Sequence, residues 1–208
     1  GTANNIAKSL QGARSNEQLV ACWETASRRR VDLGVARGTW GERRFVEGVR
    51  VGLVPITIAS TLTEPLSGDD AASNITSALV RYRDVVASLA PRRWQIRVDG
   101  EDMTGDFLLL EVLNIRSVGP NLVLSSNADP SDGYFDVVTA GIDQRDELLH
   151  YLHERIEGRE QCLSLPVVRA RHVDIHGGGD AHVDDELVRS TIAAAVSMNI
   201  EAAAVEVL

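Results

Sequence analysis

Phe107 to Val138 reads FLLLEVLNIRSVGPNLVLSSNADPSDGYFDVV. It opens on an apolar run, Phe107 to Leu113, interrupted only by Glu111, and Asn114 ends it. A Gly119-Pro120 turn follows, then a second apolar segment at Asn121 to Leu124, then a polar loop that closes on Asp132-Gly133. From Tyr134 to Thr139 the apolar and β-branched chemistry resumes. Short runs of this kind, punctuated by Gly, Pro and Asn, predict strands joined by turns. The loop Asn127-Ala128-Asp129-Pro130-Ser131-Asp132-Gly133 places two carboxylates three residues apart beside a glycine. It has two readings: a solvated turn, because each of these residue types favours turns, or a seat for a hard cation, which takes carboxylate and backbone oxygens.

Outward from this stretch, 208 residues with 44% hydrophobic composition suffice for one sizeable core, or one core and a smaller lobe. Aromatics make up 4%, so Val, Leu, Ile and Ala must fill the interior. The net charge of −9 argues against a general nucleic-acid binder and gives no general attraction to anionic headgroups. Cys22 and Cys162 form no CxxC pair and fit a reducing compartment better than a disulfide framework. No apolar run approaches the ~20 residues of a membrane span, and no signal peptide is visible.

Upstream, Gly1-Thr2-Ala3-Asn4-Asn5 precedes a helix-compatible Ile6 to Leu10. Free amides at a helix N-terminus beside a glycine suit a phosphate, although an ordinary capped helix reads the same way. Ser15 and Gln18 stand at capping-box spacing and open a second helix. Val31 to Val35 and Phe45 to Val51 read as a hairpin, and 52–62 is ambiguous between helix and strand. In Asn74 to Leu89, apolar residues recur at three- and four-residue steps, which predicts a helix after a polar loop at 64–73. Trp94, Ile96 and Val98 alternate as a strand, with a hairpin turn at 99–102.

Downstream, Asp143 to Glu157 reads as a helix carrying His150 and His153, without a third metal ligand. Val167 to Ile175 and Ala181 to Val188 read as two strands around Gly177-Gly178-Gly179. His172, Asp174 and His176 would share a strand face, with Asp180, His182 and Asp184 following; a zinc site and a row of outward polar residues are the two readings. At 192–208, alanine content favours helix, whereas the alternation of Val196, Met198 and Ile200, then of Val205 and Val207, favours two short strands. The alternation decides it.

Four places together resemble the catalytic region of the diacylglycerol kinase and sphingosine kinase-like lipid kinases. Gly1-Thr2-Ala3-Asn4-Asn5-Ile6-Ala7 resembles the family's GTxND-hydrophobic-A segment. Arg30-Val31-Asp32-Leu33-Gly34 with Phe45-Val46 resembles its D-L-G strand and the next strand. Asn114, Gly119-Pro120 and ADPSDGYFDVV at 128–138 resemble its N…G…P-x-A…D-G-x-x-D-V stretch, and Val183-Asp184-Asp185-Glu186 its V-D-G-E. Asn5 replaces the usual Asp, and Asp185 the usual Gly, where a permissive backbone is expected. The family's GGDGT loop is not in this sequence and would lie upstream of Gly1, so the chain reads as a fragment, inactive alone.

The resemblance implies an α+β fold: a β-rich, sandwich-like lobe with a few helices, preceded by the helical tail of an α/β nucleotide-binding lobe. Residues 1–30 would be the remnant of that lobe, 31–190 the lipid-acceptor lobe, and 191–208 strands returning to the nucleotide lobe. It implies an ATP-dependent lipid kinase with ATP and magnesium as cofactors, transferring phosphate to the hydroxyl of diacylglycerol or a related lipid. Asp184 and Glu186 would be the catalytic carboxylates, sharing one face if a single strand carries both. Thr2 would contact nucleotide phosphates, and Asp129, Asp132 and the Tyr134 carbonyl would hold magnesium. Expected partners are a lipid acceptor, a transient membrane surface and a second copy of the chain, but no nucleic acid. The expected location is cytoplasmic, peripheral at the membrane. The rivals are an NAD kinase-like phosphotransferase and a non-catalytic β-rich module, with Asn5 and Asp185 as marks of lost activity.

Overall fold

The computed structural model describes residues 4–11, 15–25, 27–189 and 194–207. Among them the helices are α1 (Asn5–Gln11), α2 (Asn16–Ala21), α3 (Leu53–Thr63), α4 (Ala71–Ser88) and α5 (Arg145–Ile156). The strands are β1 (Arg29–Gly38), β2 (Gly41–Phe45), β3 (Gly48–Gly52), β4 (Arg92–Val98), β5 (Glu101–Asp102), β6 (Gly105–Phe107), β7 (Leu109–Leu113), β8 (Ser117–Val118), β9 (Leu122–Val123), β10 (Phe135–Ala140), β11 (Val167–Ala170), β12 (His172–Gly177), β13 (Ala181–Val183), β14 (Glu186–Val188) and β15 (Ala194–Val207).

The fold is α+β, with two large antiparallel sheets, a two-stranded β8–β9 hairpin and a helical layer. One sheet runs β2-β1-β15-β12-β4-β5, with β6 also on β4; the other runs β11-β10-β7-β3-β13-β14. The period-2 alternation of a strand sends neighbours to opposite faces, and β7 uses both. Leu110 and Val112 join Val49, Val51, Phe135, Val173, Ile175 and Met198 in the core between the sheets. Leu109 and Leu113 join Leu79, Val86, Leu148 and Leu152 in a second core under the helices. The stacked rings of Phe45 and Phe135, with centroids 5.5 Å apart, tie the first sheet to the second. Gly34 lies against the Phe45 ring, where a Cβ would collide with it, so the glycine is required.

Local signals hold where the chemistry is local. Ser15 and Gln18 form the expected capping box. The helix expected from Asn74 begins at Ala71, because Asp70 caps it and pairs reciprocally with Ser73. The ambiguous 52–62 segment is helical, as α3.

Four expectations change. Val167 to Ile175 is not one strand, because the chain breaks at Arg171 and passes from β11 in one sheet to β12 in the other. The hairpin partner of β1 is β2, and Phe45 to Val51 is not one strand: the chain breaks at Val46-Glu47 and β3 crosses into the other sheet. Ala181 to Val188 is also not one strand but the tight hairpin β13–β14, turning at Asp184-Asp185. The segment read as two short strands is β15, a single strand seated between β1 and β12 within the first sheet. Its two alternating halves are separated by a bulge opposite Asp32, where Ala203 has a φ of 52°.

Asp32 holds this bulge. It is 1% exposed, its backbone N–H donates to the Pro130 carbonyl at 2.7 Å, and its carboxylate accepts the Gly133 and Ala203 N–H groups at 2.7 Å each. Asn114 donates from Nδ2 to the carbonyls of Asp32 and Val46, both at 3.0 Å. The Asp of the D-L-G strand and the Asn that ends β7 therefore bind β1, β15 and the 127–133 loop together.

Candidate acceptor cleft

A cleft of about 510 Å³ opens between the helices and the six-stranded sheet. Val54 and Ile58 of α3, Ile75 and Ala78 of α4, Leu66 and Ile6 give it apolar walls. Its rim includes Gly119-Pro120, which α1 reaches through an Asn5 Nδ2 bond to the Gly119 carbonyl at 3.1 Å. Lys8 Nζ adds a bond to Asn121 Oδ1 at 3.0 Å. Asn5, the departure from the family's Asp, thus ties α1 to the cleft rim.

The floor is polar because of strand register. Adjacent strands β13, β3 and β7 set His182 opposite Arg50 and Arg50 opposite Glu111. Their neighbours Ala181, Val183, Val49, Val51, Leu110 and Val112 all enter the core between the sheets, so alternation turns the polar row toward the helices. Arg50 is 1% exposed. It donates to Glu47 Oε2 at 2.8 Å, to the Asp184 carbonyl at 2.7 Å and to His182 Nδ1 at 3.0 Å. Glu111 is fully buried, 3.3 Å from Arg50 Nε, yet neither of its carboxylate oxygens has a hydrogen bond among the described residues. Tyr82 Oη, also buried and lining the cleft, has none either.

A buried charge without full hydrogen bonding is costly, and the ionisable group responds by favouring its neutral form. Burial pushes the Glu111 carboxyl up to about 8, although Arg50 pulls the other way. Burial, then the Arg50 charge, pushes His182 down to about 4. Glu47 is raised by burial, against Arg50, and Tyr82 is raised by burial, then by Glu111.

Of the two carboxylates read as catalytic, Asp184 lines the cleft and Glu186 does not. They do not share a strand face, because the chain turns at Asp184, whose φ is 50°. Asp184 accepts the Val46 and Glu47 N–H groups at 2.8 Å each and the Gly48 N–H at 3.1 Å. Glu186 is exposed and paired with Arg43. The left-handed residue of this turn is Asp184 and not Asp185, so the side chain at 185, where the family has Gly, meets no positive-φ strain. Asp is among the residue types that tolerate this region.

Asp129, Asp132 and Tyr134 lie away from the cleft lining. Asp129 pairs with Arg29 and accepts the Ser131 N–H at 3.0 Å; Asp132 pairs with Arg169 and accepts the Tyr134 N–H at 3.0 Å. Arg169 and Arg171 stack on the Tyr134 ring. The donor chemistry suits magnesium, and as arranged Asp129 and Asp132 are paired with Arg29 and Arg169. Thr2 lies outside the described residues. His172 and Asp174 bond to each other at 2.8 Å, and no group of three or more metal-ligating side chains gathers among the described residues. No helix among them is long and apolar enough to cross a membrane.

The polar floor escaped sequence reading. Its signals were single polar residues inside apolar runs: Arg50 in VRV, Glu111 in LLEVL and His182 in AHV. Only the register shows that they meet.

Two curated relatives, each named diacylglycerol kinase, from Mycobacterium tuberculosis strains CDC 1551 / Oshkosh and ATCC 25618 / H37Rv, are 30% identical over 131 residues. The match covers 59% of this chain and 42% of the relatives, so the chain spans less than half of their length. A solved diacylglycerol kinase structure from Bacillus anthracis str. Sterne superposes with a TM-score of 0.70 at 16% identity, covering 99% of this chain and 65% of that one. That likeness shows a shared fold. The family model of the YegS C-terminal NAD kinase beta sandwich-like domain matches residues 37–208. With its two facing sheets and its helix-covered cleft, the chain belongs to that family.

Proposed function

We propose that this chain is the acceptor-binding lobe of an ATP-dependent lipid kinase that phosphorylates the hydroxyl of diacylglycerol or a related lipid. The observation that carries this is the cleft: apolar walls suited to an acyl chain, ending on a polar floor beside the Asp184 turn. The same walls favour a lipid over NAD as the acceptor. The unstrained backbone at Asp185 removes one mark of a degenerate module.

Phosphoryl transfer needs positioning, charge stabilisation and a group to take the hydroxyl proton. Asp184 has both carboxylate oxygens committed to backbone amides, which suits a residue that fixes the turn. Glu186 lies outside the cleft lining and pairs with Arg43, but no backbone amide among the described residues takes its oxygens, so of the pair it is the one left to accept the proton. ATP would be held by Thr2 and by residues outside this chain. Asp129, Asp132 and the Tyr134 carbonyl would meet magnesium only after Arg29 and Arg169 swing away. The whole protein would work in the cytoplasm, touching the membrane surface transiently to collect its lipid.

The test is turnover of the parent protein with ATP, magnesium and a lipid panel, in wild type and Glu186→Gln. General-base loss typically costs ~10²–10⁴-fold in rate. Wild-type protein that phosphorylates no lipid, or a Glu186→Gln variant at wild-type kcat, overturns the corresponding assignment.

A further inference from the structure

Besides Tyr82 Oη, the cleft lining holds a ring nitrogen with no partner among the described residues. His182 is 7% exposed and lines the cleft. Its Nδ1 faces Arg50 Nη1 at 3.0 Å. A guanidinium has donors only, so Nδ1 must accept, and the imidazole proton resides on Nε2. No partner for Nε2 exists among the described residues. Burial and the neighbouring guanidinium keep the ring neutral down to about pH 4. At working pH the cleft therefore presents a fixed, uncharged N–H donor.

The surroundings restrict what that donor meets. Glu47, Asp184 and Asp185 also line the cleft, and Arg50 donates from its two Nη atoms to Glu47, His182 and the Asp184 carbonyl while its Nε faces Glu111. An anionic head would face carboxylates with no free cation. An ammonium head offers no lone pair to an N–H. A neutral acceptor oxygen satisfies the donor without a charge penalty, and an acyl chain fits the walls. A neutral ester carries both.

We infer that His182 is a specificity-determining residue, donating from Nε2 to an ester carbonyl oxygen of a neutral acylglycerol in the cleft. This rests on the lipid-acceptor reading and selects among lipids within it. Esters would be favoured over ethers, and acylglycerols over sphingoid bases.

The experiment compares kcat/KM of the parent enzyme for dioctanoylglycerol and for its dioctyl ether, which lacks both carbonyl oxygens. Wild type, His182→Leu and His182→Gln are assayed, with sphingosine as a third acceptor. A neutral hydrogen bond predicts an ester preference that falls about three- to tenfold in His182→Leu, with the ether unaffected. His182→Gln, which keeps an N–H near the same place, should recover part of it. Equal losses on ester and ether mean a structural role only and overturn the inference, as does sphingosine as the best acceptor. Wild-type protein inactive on every lipid overturns the acceptor reading itself, and the inference with it. Should both variants fail to fold, nitrogen-15 imidazole spectra of wild type decide. The Nε2–H signal should move on adding the ester but not the ether, and no movement overturns the assignment.

Discussion

Asp32 and Glu111 are both acids buried to within 1% of completely, and the protein treats them in opposite ways. Asp32 is matched: two backbone N–H groups meet its carboxylate, and its own backbone donor is used. Glu111 has an arginine within ion-pair distance and, among the described residues, no hydrogen bond to either oxygen. The first arrangement joins three segments of chain and fills every demand the carboxylate makes. The second leaves a group whose charge depends on pH, beneath a cleft. The hydrogen-bonded acid belongs to the frame of this fold, and the unbonded one lies behind the cleft, against the Arg50 that lines it.

The largest test of that contrast is Arg50→Met. Removing one partner of a buried ion pair typically costs about 3–5 kcal/mol, because the other charge is left uncompensated. Urea unfolding at pH 8 should show a loss of this size, because Arg50 also serves Glu47, His182 and the Asp184 carbonyl, and adding Glu111→Gln should restore only a small part, since Glu111 takes up a proton once Arg50 is gone. A loss below about 1 kcal/mol would mean that Glu111 does not depend on Arg50.

Asp32→Asn comes next. The amide nitrogen would face backbone donors, and losing hydrogen bonds to a charged acceptor costs about 1.5–3 kcal/mol. Hydrogen exchange at Gly133 and Ala203 should accelerate. Unchanged exchange at both amides would break the assignment of Asp32 as the clamp.

Glu111→Gln separates the two acids by pH. The Glu111 carboxyl rises from 4.5 to about 8 on folding, so between those values the folded state holds more protons than the unfolded. Stability from this group is full below 4.5 and lost as pH rises through 8. His182, lowered from 6.5 to about 4, works in the other direction and is complete above 6.5. From 6.5 to 8 the His182 contribution is complete, and Glu111 shares the window with His172, which is raised, against burial, by its bonds to Asn199 and Asp174. Wild-type stability should fall across it, and Glu111→Gln should flatten the slope; an equally steep variant would refute the assignment.

The smallest effect expected is from magnesium. Binding at the 129–134 loop must displace the Arg29–Asp129 and Arg169–Asp132 pairs. Exposed pairs of this kind are each worth up to about 1 kcal/mol, so the ion should raise thermal stability only slightly at millimolar concentration. Arg169→Gln should enlarge the shift and Asp132→Ala abolish it. A large wild-type shift would mean that the loop rearranges around the ion.

What could be read from sequence was whatever a few neighbouring residues decide. The Ser15–Gln18 box, the periodic face of α4 and the strand chemistry at 107–113 each depend on a single window. The Asp184–Glu186 pairing failed because alternation says nothing about where a chain reverses, and a left-handed Asp reversed it. The polar floor was out of reach for a related reason. Glu111 stood out as the one charge in an apolar run, but its meeting with Arg50 and His182 is a fact of register between strands far apart in the chain.

The bulge clamp has a consequence in time. Asp32 and the Ala203 amide that it binds are 171 positions apart, and β1 pairs along its length with β15. Closing so long a loop costs entropy before any ladder bond compensates, and such non-local pairings slow folding. During synthesis the inner edge of β1 must wait, unpaired, until β15 has left the ribosome. The turn at Asp184 and the floor beneath the cleft are made before that strand, but the sheet behind them closes only with it. A cell that truncates this chain before Ala203 would be left with an open sheet edge, of the kind that invites pairing with another chain and aggregation.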